Sequence, residues 1–353
     1  MIRATGGLER LELADIPDPD VPLGPHAVRV ALRAAALNQL DLFVLRGLPV
    51  EYRFPHVLGA DGAGVVDAAG AAVRSVRPGD SVMLNPGVPD YTCEYCRAGE
   101  QSLCVNYRLL GEHLPGTFAQ YVVVPEQNVA TIPSLPTPLS WPEAAAFSLV
   151  SLTAWRIVVI RARVQPGETV LIWGIGGGVS LAALRIAKLR GARVIVTSGS
   201  DAKLAAARQL GADVGLNHRS CKVSQEVRAL TARRGAEVVI DSVGEATWEE
   251  SLRSLSRGGR LVTCGATSGP RGSLDLRRLF WHQWSLLGST MGSDADYREV
   301  VRVLATGELR PILDRVFPFA ECPAALARLA AGEQFGKIAI ELAAAPGSPV
   351  DRG

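Results

Sequence analysis

A short glycine-rich segment is the part of this sequence whose residue types indicate chemistry most directly. Residues Gly174–Ser180 read GIGGGVS and follow the apolar run Thr169–Trp173. A pyrophosphate group needs backbone N–H groups at close range and the positive end of a helix dipole, and only small residues permit that approach. Because the segment stands between a strand-like and a helix-like run, it predicts a dinucleotide site rather than a simple tight turn. The predicted cofactor-binding residues are Gly174, Gly176, Gly177, Gly178 and Val179.

The next strand-like run along the chain ends in hydroxyl side chains, which bears on the choice of dinucleotide. An NAD-specific site usually has an Asp or Glu about 20 residues after the glycines, where it binds the ribose hydroxyls. Here Ser198 and Ser200 stand at that strand end, and Lys203 follows one turn later. Hydroxyls and a cation can hold a 2′-phosphate, which a carboxylate would repel. The residues predict NADP(H), while Asp201 leaves open that Lys203 is a solvated helix residue and Ser198 a turn residue.

The six cysteines are unevenly distributed. Cys93, Cys96 and Cys104 lie within twelve residues, and the other three are scattered along the chain. This pattern indicates a metal-binding loop better than a disulfide framework.

The remaining sequence shows which elements must position these residues. The first third has short strand-like runs separated by turn signals such as Arg77–Asp80, which predicts a mostly β domain. From Glu168 onward, short apolar strands alternate with amphipathic helices, which predicts a doubly wound parallel sheet of the α/β class. A length of 353 residues is consistent with two domains.

Composition and charge exclude several classes of function. Apolar residues make up 48% and charged residues 20% of the chain, as in a globular protein rather than a disordered one. A formal net charge of +2 gives no reason to expect a nucleic-acid or membrane partner. The N-terminus has no unbroken apolar run after a basic start, and Ala144–Trp155 is too short to span a bilayer. We therefore expect a cytoplasmic protein that acts on a small molecule.

Several motifs together resemble the medium-chain dehydrogenase/reductase superfamily, and in particular its zinc-containing alcohol dehydrogenase family. They are Gly59–Gly64, Arg77–Asp80, the glycine loop and a helix from Ala202 that ends in Leu210–Asp213, so the resemblance covers nearly the whole chain. It implies a GroES-like, mostly β catalytic domain beside a Rossmann domain. The implied boundaries are residues 1–130 and 286–353 for the GroES-like domain and 131–285 for the Rossmann domain.

The cysteine loop resembles the structural-zinc lobe of that family, in which four cysteines have the same spacing. Asp90 stands in place of the first cysteine, and Cys93, Cys96 and Cys104 match the other three. Zinc accepts carboxylate oxygen as well as thiolate, so the resemblance implies one structural zinc ion whose four ligands all come from the protein. A vestigial loop with reduced cysteines is the alternative interpretation.

The positions that hold the catalytic zinc in zinc-dependent members of the family do not carry the usual ligands here. The first ligand position is Asn38, the histidine–glutamate pair reads Ala60 and Asp61, and the third ligand position is Leu149. Leu40 replaces the hydroxyl that relays the alcohol proton. Alanine and leucine cannot bind zinc, and the other two side chains alone make a poor site. The sequence therefore predicts hydride transfer without a catalytic metal ion.

The segment around Asn38 resembles the quinone-oxidoreductase branch of the superfamily, which reduces electron-poor acceptors with NADPH and has no catalytic zinc. This implies a reductase of quinones or α,β-unsaturated carbonyl compounds, because hydride transfer to them gives a delocalised anion. Asn38 and Thr153 are expected to line the nicotinamide and substrate pocket, and Tyr52 to donate a hydrogen bond to a developing oxyanion. The alternatives are, respectively, a turn residue, a helix hydroxyl bonded to the backbone and a half-buried aromatic ring.

Three other functions are compatible with the same residues. They are an alcohol or aldehyde reductase that works without zinc, a double-bond reductase of a biosynthetic pathway, and a non-catalytic NADPH-binding protein. Members of the family commonly join their Rossmann sheets edge to edge, so the apolar run Trp284–Gly288 is the predicted contact of a homodimer or homotetramer.

Overall fold

The computed structural model describes residues 1–19 and 23–343, and the chain divides into two compact units. The first unit contains Met1–Leu149 and the segment from Gly292 onward, and the second contains Val150–Met291. Each unit has its own sheet and its own apolar core. Within the described residues, every helix is too short or too polar to cross a membrane.

The strands and helices are numbered in chain order. The strands are β1 (Ala27–Ala36), β2 (Asp61–Ala69), β3 (Ser81–Leu84), β4 (Gly87–Val88), β5 (Arg108–Leu109), β6 (Tyr121–Pro125), β7 (Val129–Thr131), β8 (Thr169–Ile172), β9 (Arg193–Ser198), β10 (Val214–Asn217), β11 (Ala236–Asp241), β12 (Leu255–Thr263), β13 (Ser285–Gly288), β14 (Leu313–Pro318) and β15 (Lys337–Glu341). The helices are α1 (Gln39–Arg46), α2 (Glu94–Arg97), α3 (Trp141–Ala145), α4 (Ser148–Trp155), α5 (Gly178–Leu189), α6 (Asp201–Gln209), α7 (Val223–Leu230), α8 (Trp248–Ser254), α9 (Leu276–His282), α10 (Asp294–Ala305) and α11 (Cys322–Ala330).

The first unit is built on a seven-stranded sheet in the order β14-β15-β1-β2-β3-β7, with β6 also paired to β1. Its strand pairs are antiparallel apart from the parallel pair β14 and β15. The long strand β1 is buried along almost its whole length, with Val30 and Leu32 in the core. Neighbouring β2 approaches it so closely that a Cβ on Gly64 would stand 2.1 Å from the carbonyl oxygen of Ala31. Only glycine allows these two strands to pair at this point.

The second unit is a six-stranded parallel sheet in the order β10-β9-β8-β11-β12-β13. The sequence of strands reverses between β8 and β11, which is the switch point at which Rossmann folds bind dinucleotides. The inner strands β8, β9 and β11 are largely apolar and buried, as in a sheet with both faces covered. Leu171, Ile195 and Val239 belong to its core. The predicted combination of a mostly β GroES-like domain and a doubly wound α/β domain is confirmed.

Both boundaries between the units lie later in the chain than the sequence predicted. The first falls after Leu149 instead of residue 130, because α3 packs against β1, β2 and β15 and Glu143 forms a 2.7 Å ion pair with Arg310 of the same unit. The second falls after Met291 instead of residue 285, because β13 pairs with β12 in the parallel sheet.

Candidate active site and metal lobe

The glycine-rich segment forms the turn between β8 and α5. Gly174 and Gly176 have φ angles of 67° and 125°, which residues with a Cβ rarely adopt. Helix α5 begins at Gly178 with Gly177 as its N-cap, so unpaired N–H groups face the turn. Ser180, at the expected position of the family's third glycine, donates from Oγ to the carbonyl oxygens of Gly174 (3.0 Å) and Gly177 (2.9 Å). The turn therefore has the strand–turn–helix geometry that a pyrophosphate requires, and Ser180 stabilises it.

The residues predicted to hold a 2′-phosphate meet at the carboxyl end of β9. Ser198 is buried, and its Oγ accepts a hydrogen bond from Ser200 N (3.1 Å). Ser200 caps α6, since its Oγ accepts from Lys203 N (3.4 Å). Each hydroxyl still has its own proton to donate to an anion. The structure thus brings Ser198, Ser200 and Lys203 together in one turn.

A second cation, which the sequence did not indicate, lies at the same turn. The side chain of Arg219, just after β10, passes over Gly199, where an added Cβ would stand 2.6 Å from Arg219 Nε. The carboxylate of Asp201 has another partner, because its Oδ1 accepts a 2.8 Å hydrogen bond from Asn217 Nδ2. Arg219 is therefore a cation at this turn, and Lys203 follows in the first turn of α6.

A buried polar cluster in the first unit occupies the positions that correspond to the catalytic-zinc ligands of the family. Lys337 Nζ donates to Asn38 Oδ1 at 2.6 Å, to the carbonyl oxygen of Leu37 at 2.7 Å and to Asp61 Oδ2 at 2.9 Å. Asn38 Nδ2 also donates to Asp61 Oδ2 at 3.0 Å. The Lys337 and Asp61 side chains are 5% and 0% exposed. An ammonium group has three N–H bonds and no lone pair, so these three acceptors use all of its capacity.

Sheet register explains why these residues meet. Strand β1 lies between β2 and β15, and its last residue, Ala36, is paired with Asp61 on one side and with Ala339 on the other. Asp61 begins β2 and Lys337 begins β15. Asn38 follows the end of β1 as the N-cap of α1. Three segments that are distant in sequence therefore place their polar side chains at one end of the sheet.

The start of α4 is held on this cluster. Asp61 Oδ1 accepts a 2.9 Å hydrogen bond from Leu149 N in the first turn of α4, so both oxygens of the carboxylate have donors. The neighbouring Ser148 Oγ forms a 2.9 Å hydrogen bond with Tyr297 Oη of α10. Burial raises the pKa of Tyr297 far above its usual value, so the phenol is neutral. The contact between Ser148 and Tyr297 is therefore a hydrogen bond between two neutral hydroxyl groups.

Asp41 is a second buried carboxyl group beside the cluster. Its Oδ2 accepts from Asn38 N at 2.7 Å and its Oδ1 from Gly59 N at 3.1 Å, which completes the capping box of α1. Burial raises the pKa of Asp41 to about 7, although the hydrogen bond from Asn38 and the charge of Lys337 act in the opposite direction. The group is therefore the part of this region that titrates near neutral pH.

The donor set of the cluster does not fit a catalytic metal ion. A divalent cation needs several lone pairs that converge on an empty centre. Here the Lys337 ammonium already lies among the oxygens of Asn38 and Asp61, and the side chains of Ala60 and Leu149 offer no donor atom. A zinc ion bound to those oxygens would stand next to a fixed positive charge. The cluster holds a protein cation where zinc-dependent relatives hold a metal ion.

The other side chains predicted to face the substrate also have partners within the protein. Tyr52 Oη accepts a 3.2 Å hydrogen bond from Leu48 N. Thr153 Oγ1 donates to Met291 Sδ at 3.6 Å, and Thr153 is 6% exposed. The half-buried position of Tyr52 matches the alternative that the sequence left open. Thr153 instead contacts a side chain rather than the backbone, and Asn38 caps α1 within the buried cluster. A contact of these residues with cofactor or substrate stays a prediction.

The four predicted zinc ligands converge in a lobe between β4 and β5. The ligand atoms of Asp90, Cys93, Cys96 and Cys104 all lie within 4.8 Å of one another. Bonds of about 2.3 Å in a tetrahedron separate the ligand atoms by about 3.8 Å, so modest adjustment would accommodate one zinc ion. Cys104 Sγ accepts hydrogen bonds from the backbone N–H groups of Asp90 (3.2 Å) and Asn106 (3.4 Å). One carboxylate and three cysteine sulfurs are ligands that zinc accepts, so this donor set fits zinc.

The pKa shifts in the lobe are unequal. Hydrogen bonds from the backbone N–H groups of Cys93 and Thr92 hold the pKa of Asp90 well below its usual range. A hydrogen bond from the backbone of Cys96 lowers the pKa of Cys93, whereas burial raises the pKa of Cys96 to about 12. Without a metal ion Cys96 is therefore protonated at neutral pH, and zinc binding must release that proton.

Lys337, Arg219 and Asn106 are the residues of these sites that sequence reasoning missed. One feature of the sequence could have indicated Lys337. It is a lysine at the start of an apolar strand, and lysine is rarely buried without a partner. Its partner Asp61 lies 276 residues away in the chain, and no local pattern links them. Arg219 and Asn106 stand in turns, where a charged or amide side chain carries no information about its partner.

Comparison with known proteins identifies the family. Residues 24–134 match the alcohol dehydrogenase GroES-like domain, and residues 178–306 match the zinc-binding dehydrogenase family. The acryloyl-coenzyme A reductase of Metallosphaera sedula is 32% identical over 310 residues, which are 87% of this chain and 89% of that protein. The chain therefore belongs to the medium-chain dehydrogenase/reductase superfamily.

Solved structures show the same fold. The crystal structure of an NAD-dependent alcohol dehydrogenase is 45% identical with a TM-score of 0.92, covering 97% of this chain and 98% of that one. A 2-octenoyl-CoA carboxylase reductase, solved with NADP and 2-octenoyl-CoA, is 28% identical with a TM-score of 0.87 and coverages of 98% and 85%. Since these relatives are oxidoreductases, the chain is an NAD(P)-dependent oxidoreductase.

Proposed function

We propose that this protein is an NADPH-dependent reductase of α,β-unsaturated carbonyl compounds, with enoyl thioesters as the favoured class and no metal ion at the reaction site. The observation that carries the proposal is the buried cluster of Lys337, Asp61 and Asn38 at the positions of the zinc ligands. Alcohol oxidation develops charge on one oxygen, which a metal ion stabilises. Hydride addition to the β-carbon of an unsaturated carbonyl compound spreads the charge over an enolate and needs less stabilisation.

The overall reaction would consume one NADPH and one proton for each double bond. Hydride from the nicotinamide forms the new C–H bond at the β-carbon, the π electrons move into the enolate, and a proton from water forms the C–H bond at the α-carbon. Similarity to an acryloyl-coenzyme A reductase and to a carboxylase reductase solved with 2-octenoyl-CoA supports thioesters over quinones. Quinones are the second class of electron-poor acceptor in this proposal.

The preference for NADPH rests on the turn at the end of β9. Ser198 and Ser200 offer hydroxyls, Arg219 lies at the turn, Lys203 follows in the first turn of α6, and the Asp201 carboxylate is bonded to Asn217. Charge-assisted hydrogen bonds to a phosphate are stronger than those to ribose hydroxyls, so this set favours a 2′-phosphate.

The test is NADPH oxidation against a panel that contains an enoyl-CoA thioester, an enone, a quinone, an aldehyde and, in the reverse direction, simple alcohols. We expect the highest kcat/KM with the thioester, and no change after brief treatment with a chelator. Turnover confined to alcohols and aldehydes would instead support an alcohol dehydrogenase. That second candidate is favoured by the 45% identity to an NAD-dependent alcohol dehydrogenase. NADPH binding without any turnover would leave only a binding function.

We also propose that the lobe holds one structural zinc ion, bound by Asp90, Cys93, Cys96 and Cys104. The converging ligand atoms and the two N–H donors to Cys104 Sγ support this proposal. Such an ion has no open position for a substrate, so it would supply stability and take no part in hydride transfer. Metal analysis of the purified protein tests it.

For the assembly we propose a homodimer, or a homotetramer built from it, through β13. This strand is at the edge of the parallel sheet, and α9 just before it exposes Leu276, Phe280 and Trp281 at 66–67%. An open strand edge beside large exposed apolar side chains is typical of a contact surface. Light scattering should show an oligomer that Phe280→Glu weakens. The six free cysteines support the cytoplasm as the proposed location.

A further inference from the structure

The lobe differs from an all-cysteine site because one ligand is a carboxylate with two oxygens. A thiolate presents a single sulfur, but a carboxylate must be oriented before one oxygen points at the metal ion. Asp90 Oδ1 lies 3.4 Å from Cys96 Sγ and is therefore the oxygen on the side of the other ligands. Asp90 Oδ2 accepts a 2.7 Å hydrogen bond from Asn106 Nδ2.

Asn106 is suited to hold that orientation. Its side-chain amide donates a hydrogen bond to Asp90 Oδ2, and its backbone N–H donates to Cys104 Sγ at 3.4 Å. One residue thus contacts both the carboxylate ligand and a thiolate ligand. Amide donors to a ligating carboxylate are the kind of outer contact that fixes metal geometry and tunes affinity.

We propose that Asn106 is a positioning residue of the lobe, which holds Asp90 as a single-oxygen zinc ligand through the Nδ2–Oδ2 hydrogen bond. The inference rests on the proposed structural zinc ion. This role of Asn106 explains how Asp90 can act as the fourth zinc ligand at a position where an all-cysteine lobe has a cysteine. Truncating the Asn106 side chain removes the hydrogen bond to Oδ2, so that oxygen becomes available to the metal ion as well. Oδ1 keeps its hydrogen bonds from Thr92 N and Cys93 N, and the backbone N–H bond to Cys104 is unchanged.

The experiment measures zinc affinity by competition with a chromogenic chelator in the full-length protein. Asn106→Ala is expected to weaken zinc binding about 10- to 100-fold, the usual effect of removing such an outer contact. Val105→Ala is the matched control, because Val105 is the adjacent residue, its side chain is 68% exposed, and its truncation leaves the backbone in place. It should bind zinc as the unaltered protein does. Circular dichroism of each variant checks that it is folded.

A second background separates positioning from general damage to the lobe. In Asp90→Cys, the fourth ligand is a sulfur that needs no orienting hydrogen bond, so adding Asn106→Ala should change zinc affinity less than threefold. An equal loss in both backgrounds would overturn the inference, because Asn106 would then act through Cys104 or through folding. Cobalt substitution gives an independent readout, since a changed coordination geometry at Asp90 alters the visible spectrum.

The possible failures are distinguishable. If the unaltered protein binds no zinc, the proposed zinc site and the role of Asn106 both fail. If it binds one zinc ion and Asn106→Ala binds equally tightly, the site stands and only the role of Asn106 is wrong.

Discussion

The first unit contains two regions that correspond to metal sites of the family, and they differ in what fills their centre. In the lobe, one ligand atom from Asp90 and one from each of three cysteines lie within 4.8 Å of one another. In the buried cluster, the Lys337 ammonium lies among the oxygens of Asn38 and Asp61. The comparison shows that donor atoms alone do not make a metal site. The charge at the centre decides whether a cation can enter.

The two regions also differ in their proposed roles. A carboxylate in place of one thiolate is compatible with zinc binding, so the proposed role of the lobe is structural. In the other region Ala60 and Leu149 offer no donor atom, and Lys337 forms an ion pair with Asp61. The proposed enoyl reductase activity is consistent with this cluster, because that reaction needs no Lewis acid.

The largest expected effect comes from removing the protein cation. Lys337→Met leaves Asp61 buried without its counter-ion, which should lower the free energy of unfolding by about 3–5 kcal/mol. The double variant Lys337→Met with Asp61→Asn removes both charges and should recover most of that loss. Urea unfolding of the two variants measures the difference. A loss below about 1 kcal/mol in the single variant would show that the pair does not hold the cluster together.

Removing zinc from the lobe should have the next largest effect. An ion present at 100 times its dissociation constant stabilises the folded state by about 2.7 kcal/mol, so excess chelator should lower Tm. Cys96→Ser should have the lowered Tm even with zinc added. Cys221→Ser lies outside the lobe and serves as the control, with an unchanged response to chelator. Identical melting curves with and without chelator would contradict a structural zinc ion.

A smaller effect is expected at the cofactor turn. Arg219→Ala should lower kcat/KM for NADPH about tenfold, equivalent to about 1.4 kcal/mol, because it removes a cation beside the proposed 2′-phosphate site. The value for NADH should stay the same. Arg234→Ala is the control, because it changes an exposed arginine just before β11, at the amino end of the parallel strands, whereas Arg219 follows the carboxyl end of β10. Equal losses for both cofactors would place Arg219 outside the 2′-phosphate contact.

A change in the pH dependence of stability is also expected. The pKa of Asp41 is raised in the folded protein from 3.8 to about 7, so between these values the unfolded chain releases a proton that the folded protein keeps. The stabilisation is complete below about pH 4 and is lost as pH rises towards 7. Unfolding free energy measured across this range should fall more steeply in the unaltered protein than in Asp41→Asn. Parallel profiles would mean that Asp41 is ionised throughout.

Much of the fold could be predicted, because glycine turns and apolar periodicity are local. The strand before Gly174 and the helix after it are found where their residues predicted them. The domain boundary was misplaced because the packing of α3 on the β sheet is a tertiary contact. The cysteine lobe could be predicted because its ligands lie close together in sequence.

The centre of the buried cluster could not be predicted, for a physical reason. Asn38 and Asp61 suggested an incomplete metal site, but the residue that completes the cluster begins the last strand. Pairing of β1 with β15 brings Lys337 to Asn38, and that pairing is a property of the sheet rather than of any one segment. Sequence reasoning identified the missing ligands and not the group that took their place.

Metal content measured together with activity tests the central claim most directly. We expect the purified protein to contain one zinc ion per chain, and the double variant Cys93→Ser, Cys96→Ser to contain none. The variant should still oxidise NADPH with an enoyl thioester at a temperature where it is folded. A second zinc ion that persists in the variant, and whose removal by a chelator abolishes turnover, would contradict the account.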